Sequence, residues 1–304
     1  RRKKKELGET ATVEMGKAVR ESIPEIEKCA LTLEYFAETA ERFLEPEIAE
    51  TDANKAYISF EPRGIVLGIM PWNYPFWQII SFGAPSLAGG NVVLLKHSSY
   101  VPICALEIEK VFLEAGFPEG VYQNLLIDAP TASILISRDE ISAVSFTGGV
   151  RAGQSVAEVA GKNIKKVVLE LGGSDPFIVL PDADIEEAAR VGVASRFLNA
   201  GQSCIAAKRF IVDQIISEEF ISMFAGFARN LEVGDPMDVD TDLGPLVREQ
   251  QIGILEEQVN NALSRGAKAI LEGGRLQRKG FFYSPVILGG LTKDMKILRE
   301  ETFG

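Results

Sequence analysis

The chain has 304 residues, with 32 Lys and Arg against 43 Asp and Glu, one histidine and a formal net charge of −11. That length exceeds one ordinary hydrophobic core and predicts two packed units, and the negative balance argues against nucleic acid or an anionic membrane as the main partner. Three cysteines, Cys29, Cys104 and Cys204, are too few and odd in number for a disulfide framework and fit a reducing cytosol, while a single histidine, His97, and the lack of any Cys-x-x-Cys speak against a zinc site.

Residues 6–45 carry apolar positions at helical spacing (Ile23, Ile26, Cys29, Ala30, Leu33, Phe36) among many Glu and Lys, which predicts one or two amphipathic helices. The basic run at 1–5 leads into polar, helix-forming sequence, unlike a signal peptide. Residues 57–60 alternate weakly and predict an exposed strand. Residues 64–70 and 91–95 are apolar runs far too short to cross a bilayer, separated by a helical stretch at 79–87. This is a βαβ pattern, implying a parallel sheet with a right-handed crossover. The alternation continues with a helix over 101–115 closed by Gly116, strands at 121–126 and 143–146, a helix at 152–160 and a strand at 166–169. Gly172-Gly173 allows a sharp change of backbone direction, and a second series follows: strand 177–180, helix 185–197, strand 209–212, helix 217–230. Short buried strands separated by helices predict a doubly wound α/β fold, with a domain junction near 170–174.

Two segments carry the candidate chemistry. Cys204 ends the stretch Phe197-Leu198-Asn199-Ala200-Gly201-Gln202-Ser203-Cys204, and Glu170 lies in Leu169-Glu170-Leu171-Gly172-Gly173, 34 residues upstream. A thiolate is a soft nucleophile, and a carboxylate can deprotonate the thiol or the water that later releases an acyl group. A buried cysteine is more often an inert small hydrophobe, so neither residue alone specifies an acyl-enzyme site. Phe146-Thr147-Gly148-Gly149 follows a strand and opens the helix containing Gly153, where backbone N–H groups can meet a phosphate. A turn that needs glycines accounts for it equally, and the G-x-G-x-x-G fingerprint is absent. Lys96 ends a strand at the edge where open α/β sheets bind ligands, with a solvated lysine as the simpler reading.

Six segments together closely resemble, in order and spacing, the motif series of the aldehyde dehydrogenase superfamily: Pro71-Trp72-Asn73-Tyr74-Pro75, Lys96-His97-Ser98-Ser99, Phe146-Thr147-Gly148-Gly149, Leu169-Glu170-Leu171-Gly172-Gly173, Gly201-Gln202-Ser203-Cys204 and Glu300-Glu301-Thr302-Phe303-Gly304. The resemblance covers 1–304 almost continuously. It implies a Rossmann-type NAD(P)-binding domain over 1–170, with an oligomerisation strand near 55–61, and a second α/β catalytic domain over 171–304, truncated at its C-terminus. A start on Arg-Arg-Lys and a stop at Gly304 also suggest a segment of something longer. By the same resemblance, Cys204 attacks the aldehyde carbon to give a thiohemiacetal, hydride loss to nicotinamide leaves a thioester, Glu170 activates the hydrolytic water, and Asn73 with the Cys204 backbone N–H stabilises the oxyanion. Implied cofactor contacts are Pro71, Trp72, Lys96, Ser98, Ser99, Thr147, Gly148, Gly149, Leu171, Glu301 and Phe303. The family usually has serine in place of Gly149, and NAD-preferring members often carry glutamate at the position of Ser99. Without that carboxylate a 2′-phosphate meets no repulsion, so NADP is expected in preference to NAD.

Among relatives, segments 72–78 and 204–209 look most like the short bacterial and archaeal succinate-semialdehyde dehydrogenases, which makes succinate semialdehyde the expected substrate. The arginines with which such enzymes hold a carboxylate are replaced by Ser81 and Leu198, leaving Arg196 as an anchor candidate against a solvated helix face. A broad-specificity enzyme for small or aliphatic aldehydes, a CoA-acylating relative and a non-catalytic structural derivative are the other readings. The retained Glu170 disfavours the second, and the retention of every chemical group disfavours the third. The resemblance also implies a homodimer or homotetramer covering the exposed strand edge. No metal, nucleic-acid or membrane partner is expected, and the location is expected to be cytoplasmic.

Overall fold

The computed structural model describes residues 1–304. They form two compact units, one of residues 1–14 with 23–171 and one of residues 15–22 with 172–304.

The first unit opens with α1 (Lys4–Met15) and α2 (Val19–Phe43), the latter shared with the second unit over its first four residues. A two-stranded antiparallel ribbon follows, β1 (Glu47–Ile48) with β2 (Tyr57–Ile58). The βα series is β3 (Ile65–Ile69), α3 (Trp77–Ala88), β4 (Val92–Lys96), α4 (Pro102–Glu114), β5 (Tyr122–Asn124), α5 (Ala129–Ile136), β6 (Ile141–Gly148), α6 (Val150–Lys162) and β7 (Lys166–Leu171). Strands β3 to β7 form one parallel sheet in the order β5-β4-β3-β6-β7. Its central strands read as apolar runs because helices shield the sheet, leaving Leu67, Val93 and Leu95 with no exposed surface. Leu67 packs with Ile136, Ile141, Val144 and Ala160 in one cluster. Gly68 lets α3 approach β3, since an added Cβ would lie 2.0 Å from the Phe82 ring. Helix α5, which periodicity misses, is set by local chemistry: Asp128 accepts the Thr131 N–H at 2.9 Å and Pro130 occupies the first turn.

The second unit contains β8 (Asp175–Val179), α7 (Ile185–Phe197), a 3₁₀ turn (Leu198–Gly201), β9 (Ala207–Val212), α8 (Ser217–Arg229), α9 (Glu249–Ser264), β10 (Lys268–Leu271), β11 (Gly274–Arg275), β12 (Tyr283–Ser284) and β13 (Ile287–Gly289). Strands β8 and β9 pair in parallel, while β10 with β13 and β11 with β12 are antiparallel. Asp184 caps α7 by accepting the Glu187 N–H at 3.0 Å. Helices α7 and α8 bury Val193, Phe220 and Phe224 against β8 and β9, with the Phe210 ring 4.6 Å from that of Phe224. Residues 15–22 join this unit through long-range contacts. The Val19 N–H donates to the Pro236 carbonyl at 2.8 Å, Arg20 pairs with Asp242, and Glu21 accepts the Asn199 N–H at 2.9 Å. The doubly wound α/β class expected from the sequence is the observed one. No helix is long and apolar enough to cross a membrane.

Candidate active site

In the first unit, parallel pairing aligns Ile69 with Lys96 and Phe146, and Phe146 with Leu169. The next residues along each strand path, Met70, His97, Thr147 and Glu170, therefore mark the carboxyl-terminal rim of the sheet. Strand order reverses here, because β4 and β5 extend to one side of β3 while β6 and β7 extend to the other. Such a switch point leaves a crevice for ligands. Pro71, Trp72 and Asn73 leave β3 on one side of it, and Gly148 and Gly149 leave β6 on the other.

Gly149 is the N-cap of α6 with no side-chain cap, and a Cβ added there meets no atom within 4 Å. The first-turn N–H groups are thus open to an anion, as a dinucleotide phosphate requires. Lys96 is half-buried at the end of β4; burial pushes its ammonium down and the Asp128 carboxylate opposes that. Ser98 accepts the Tyr100 N–H at 3.3 Å, and Ser99 is exposed. The register sets Thr147 beside Glu170 and Gly148 beside Leu171, and Glu170 is exposed on this rim.

Asn73 is buried, at 4% exposure. The segment that carries it is pinned at both ends. The buried His97 ring sets Nδ1 3.2 Å from the Met70 carbonyl and Nε2 3.0 Å from the Pro75 carbonyl, and as a neutral imidazole with a single N–H it donates to one of them at a time. Burial pushes this imidazole down to about 4, against the pull of the two carbonyls. The buried Glu25 carboxylate then accepts the Phe76 and Trp77 N–H groups at 2.9 and 2.8 Å, capping α3. Neither Glu25 nor His97 has a motif that announces this role.

In the second unit, three consecutive left-handed residues, Asn199, Ala200 and Gly201 (φ 55°, 52° and 76°), precede the nucleophile segment. Only glycine takes this conformation without strain. Polar contacts hold the turn: the Asn199 amide donates to the Gln202 carbonyl at 3.2 Å, the Gln202 side chain accepts the Val247 N–H at 3.0 Å, and the Gly201 carbonyl accepts the Gly304 N–H at 3.1 Å. Burial pushes the Glu21 carboxyl up, with Lys17 the main opposing charge. Gln202 and Ser203 have no exposed surface, whereas Cys204 is half-buried.

Glu301 rests against the Gly172-Gly173 corner. An added Cβ at Gly172 would lie 1.8 Å from Glu301 Oε2, so a larger residue there displaces the carboxylate. Lys208, whose side chain is 1% exposed, lies 3.7 Å from Glu301 Oε1 and donates to the Cys204 carbonyl at 2.7 Å. The Phe303 carbonyl accepts from the Gln251 side chain. Arg196 does not project from a solvated helix face: it donates to the Gly304 carbonyl at 2.5 Å, and burial pushes it down to about 10. Its Nη1 is buried without a hydrogen-bond partner. Ser81 donates to the Gln78 carbonyl at 3.2 Å, and Leu198 starts the 3₁₀ turn. Within its unit each set is coherent: a sheet rim with an amide, a carboxylate and an open helix N-terminus, and a half-buried cysteine whose carbonyl is held by the buried lysine of an ion pair.

Residues 1–304 match the model of the aldehyde dehydrogenase family. The chain is 46% identical over 293 residues to a probable succinate-semialdehyde dehydrogenase (NADP(+)) of Synechocystis sp., covering 96% of this chain and 64% of that protein. It is 46% identical over 296 residues to succinate-semialdehyde dehydrogenase (NADP(+)) 1 of Mycobacterium tuberculosis strain H37Rv, covering 96% and 65%. The chain thus spans just under two thirds of the length of these relatives. The crystal structure of succinic semialdehyde dehydrogenase from Streptococcus pyogenes, in complex with NADP+, superposes with a TM-score of 0.98 at 39% identity, covering 100% of this chain and 67% of that one. A family match along the whole chain, relatives at this identity and a shared fold converge with the rim and thiol geometry: the chain belongs to the aldehyde dehydrogenase family.

Proposed function

We propose that the protein oxidises an aldehyde to the carboxylic acid with NADP, through acylation of Cys204. The observation that carries this reading is the half-buried Cys204 following a turn held by polar contacts, in a chain whose matched relatives are named NADP(+) succinate-semialdehyde dehydrogenases. Residues 1–170 act as the NAD(P)-binding domain and residues 171–304 as the catalytic domain. The cofactor fits the residues present: the uncapped α6 N-terminus at Gly149 receives phosphate, and Lys96, Ser98 and Ser99 offer donors without an acidic side chain among them. Pro71, Trp72, Thr147, Gly148 and Leu171 line the same rim. Glu301 and Phe303 serve the nicotinamide ribose.

Cys204, its thiol proton released to water, attacks the aldehyde carbon as the thiolate, and the Asn73 amide with the Cys204 N–H stabilises the negative oxygen that develops; the thiolate expelled on deacylation regains its proton from water. When bound, the cofactor supplies the acceptor for the hydride that leaves this carbon, so that a thioester remains on Cys204. Glu170 takes a proton from the water that attacks the thioester, releasing the acid and restoring the thiol. Succinate semialdehyde is the proposed substrate, with NADP preferred over NAD because Ser99 presents no carboxylate to a 2′-phosphate. The β1–β2 ribbon, with Ile48, Tyr57 and Ile58 at 77%, 50% and 53% exposure, is the proposed homo-oligomer contact. The setting is cytoplasmic, in keeping with a sparse, odd cysteine count.

The test is an aldehyde panel containing succinate semialdehyde, glutarate semialdehyde and simple aliphatic aldehydes, assayed with NADP+ and NAD+. Succinate semialdehyde with NADP+ is expected to give the highest kcat/KM and free succinate as product. A simple aliphatic aldehyde preferred over both semialdehydes, or a clear NAD+ preference, would overturn the substrate or cofactor assignment.

A further inference from the structure

We propose that Lys208 is a positioning residue that ties the loop of Cys204 to the carboxylate of Glu301, so that occupation of the cofactor site changes the reactivity of the thiol. The inference rests on the roles given above to Cys204 and Glu301. Lys208 stands four residues after Cys204, at the start of β9, and its ammonium is withdrawn from water at 1% side-chain exposure. A charge so buried needs partners. It has the Cys204 carbonyl at 2.7 Å and Glu301 Oε1 at 3.7 Å, the second within ion-pair range but longer than a hydrogen bond. Glu301 Oε1 is itself buried with no hydrogen-bond partner. The ammonium is therefore committed to the nucleophile's backbone and only loosely to the carboxylate. Burial pushes Lys208 down and Glu301 up, each opposed chiefly by the charge of the other at 3.7 Å. Glu301 also lies against the backbone of Gly172 and accepts the Gly173 N–H. A ribose hydroxyl donating to Glu301 competes for the charge that Lys208 uses, and the shift passes through one side chain to the Cys204 peptide.

The experiment measures iodoacetamide alkylation of Cys204 in the full-length protein, with and without saturating NADP+, saturation being verified by tryptophan fluorescence titration. Wild type is expected to show a cofactor-dependent change in alkylation rate of at least about fivefold. Lys208→Met is expected to bind NADP+ yet show a rate ratio within about twofold of one, and Lys208→Arg, which restores the cation, to recover most of the wild-type ratio. Should Lys208→Met fail to fold, Glu301→Gln is expected to abolish the ratio in the same way. A wild-type ratio of one, or a wild-type ratio retained in Lys208→Met or Glu301→Gln, overturns the proposal while leaving aldehyde oxidation intact. Failure of the wild-type protein to bind NADP+ overturns both readings.

Discussion

Substituting His97 by glutamine removes the one histidine in the chain, and its effect should appear as a changed dependence of stability on pH. The folded imidazole titrates at about 4 because it is buried, whereas an unfolded histidine titrates near 6.5. Between those values the unfolded chain binds more protons, so stability rises with pH across this window and is lost as pH falls through it. The full contribution, the difference between about 4 and 6.5 at 1.36 kcal/mol per unit, is about 3 kcal/mol, of which a little under half is already lost at pH 5.5. Urea unfolding of wild type and His97→Gln at pH 7.5, 5.5 and 4.5 isolates this, because the carboxylates common to both proteins cancel in the difference. The wild-type midpoint should fall faster on acidification. At pH 7.5 the neutral imidazole donates to one of the Met70 and Pro75 carbonyls, and a glutamine that does not reach that carbonyl is expected to cost about 1–3 kcal/mol. Parallel pH profiles for the two proteins would refute the reasoning, because the buried clamp on the Asn73 segment would then not exist as described.

Two further substitutions probe the chemistry. Asn73→Ala is expected to lower kcat roughly 100- to 1000-fold through loss of an oxyanion donor, with a much smaller change in the KM for NADP+, as steady-state kinetics would show. Gly172→Ala sets a methyl group where Glu301 Oε2 now lies, 1.8 Å from it, so the carboxylate must move. The KM for NADP+ is expected to rise about tenfold, equivalent to about 1.4 kcal/mol of lost binding, and an unchanged KM would remove Glu301 from the cofactor site.

The βα series of the first unit was legible because strands buried on both faces read as unbroken apolar runs, as in Ile65–Ile69 and Val92–Lys96. Helix α7 was legible over its full length because Asp184 caps it and its apolar positions repeat at helical spacing. What escaped was decided elsewhere. Of the ribbon, β2 falls within the exposed strand expected at 57–60, whereas β1, two residues at Glu47–Ile48, is too short to show alternation. Nothing in the local sequence of residues 15–22 says that they pack with the second unit, because Arg20 finds its partner 222 residues away. Past residue 230, acidic turns such as Asp235 accepting the Met237 N–H and Asp238 accepting the Asp240 N–H give no periodic signal, and α9 was missed behind them. The rim residues of the candidate site were legible as strand ends carrying motifs. The contacts that hold them were not: His97 spans 22 and 27 residues to its carbonyls, and Lys208 meets a carboxylate at Glu301 that no local pattern predicts.

The central claim is that Cys204 carries the acyl group and that Glu170 helps water remove it. It is tested most directly by rapid-quench mass spectrometry of Glu170→Gln mixed with succinate semialdehyde and NADP+. The account predicts a burst of NADPH approaching one equivalent per chain and a mass increase of one succinyl group on the peptide containing Cys204. A burst without any adduct at Cys204, or an adduct on Cys29 or Cys104 instead, would contradict it.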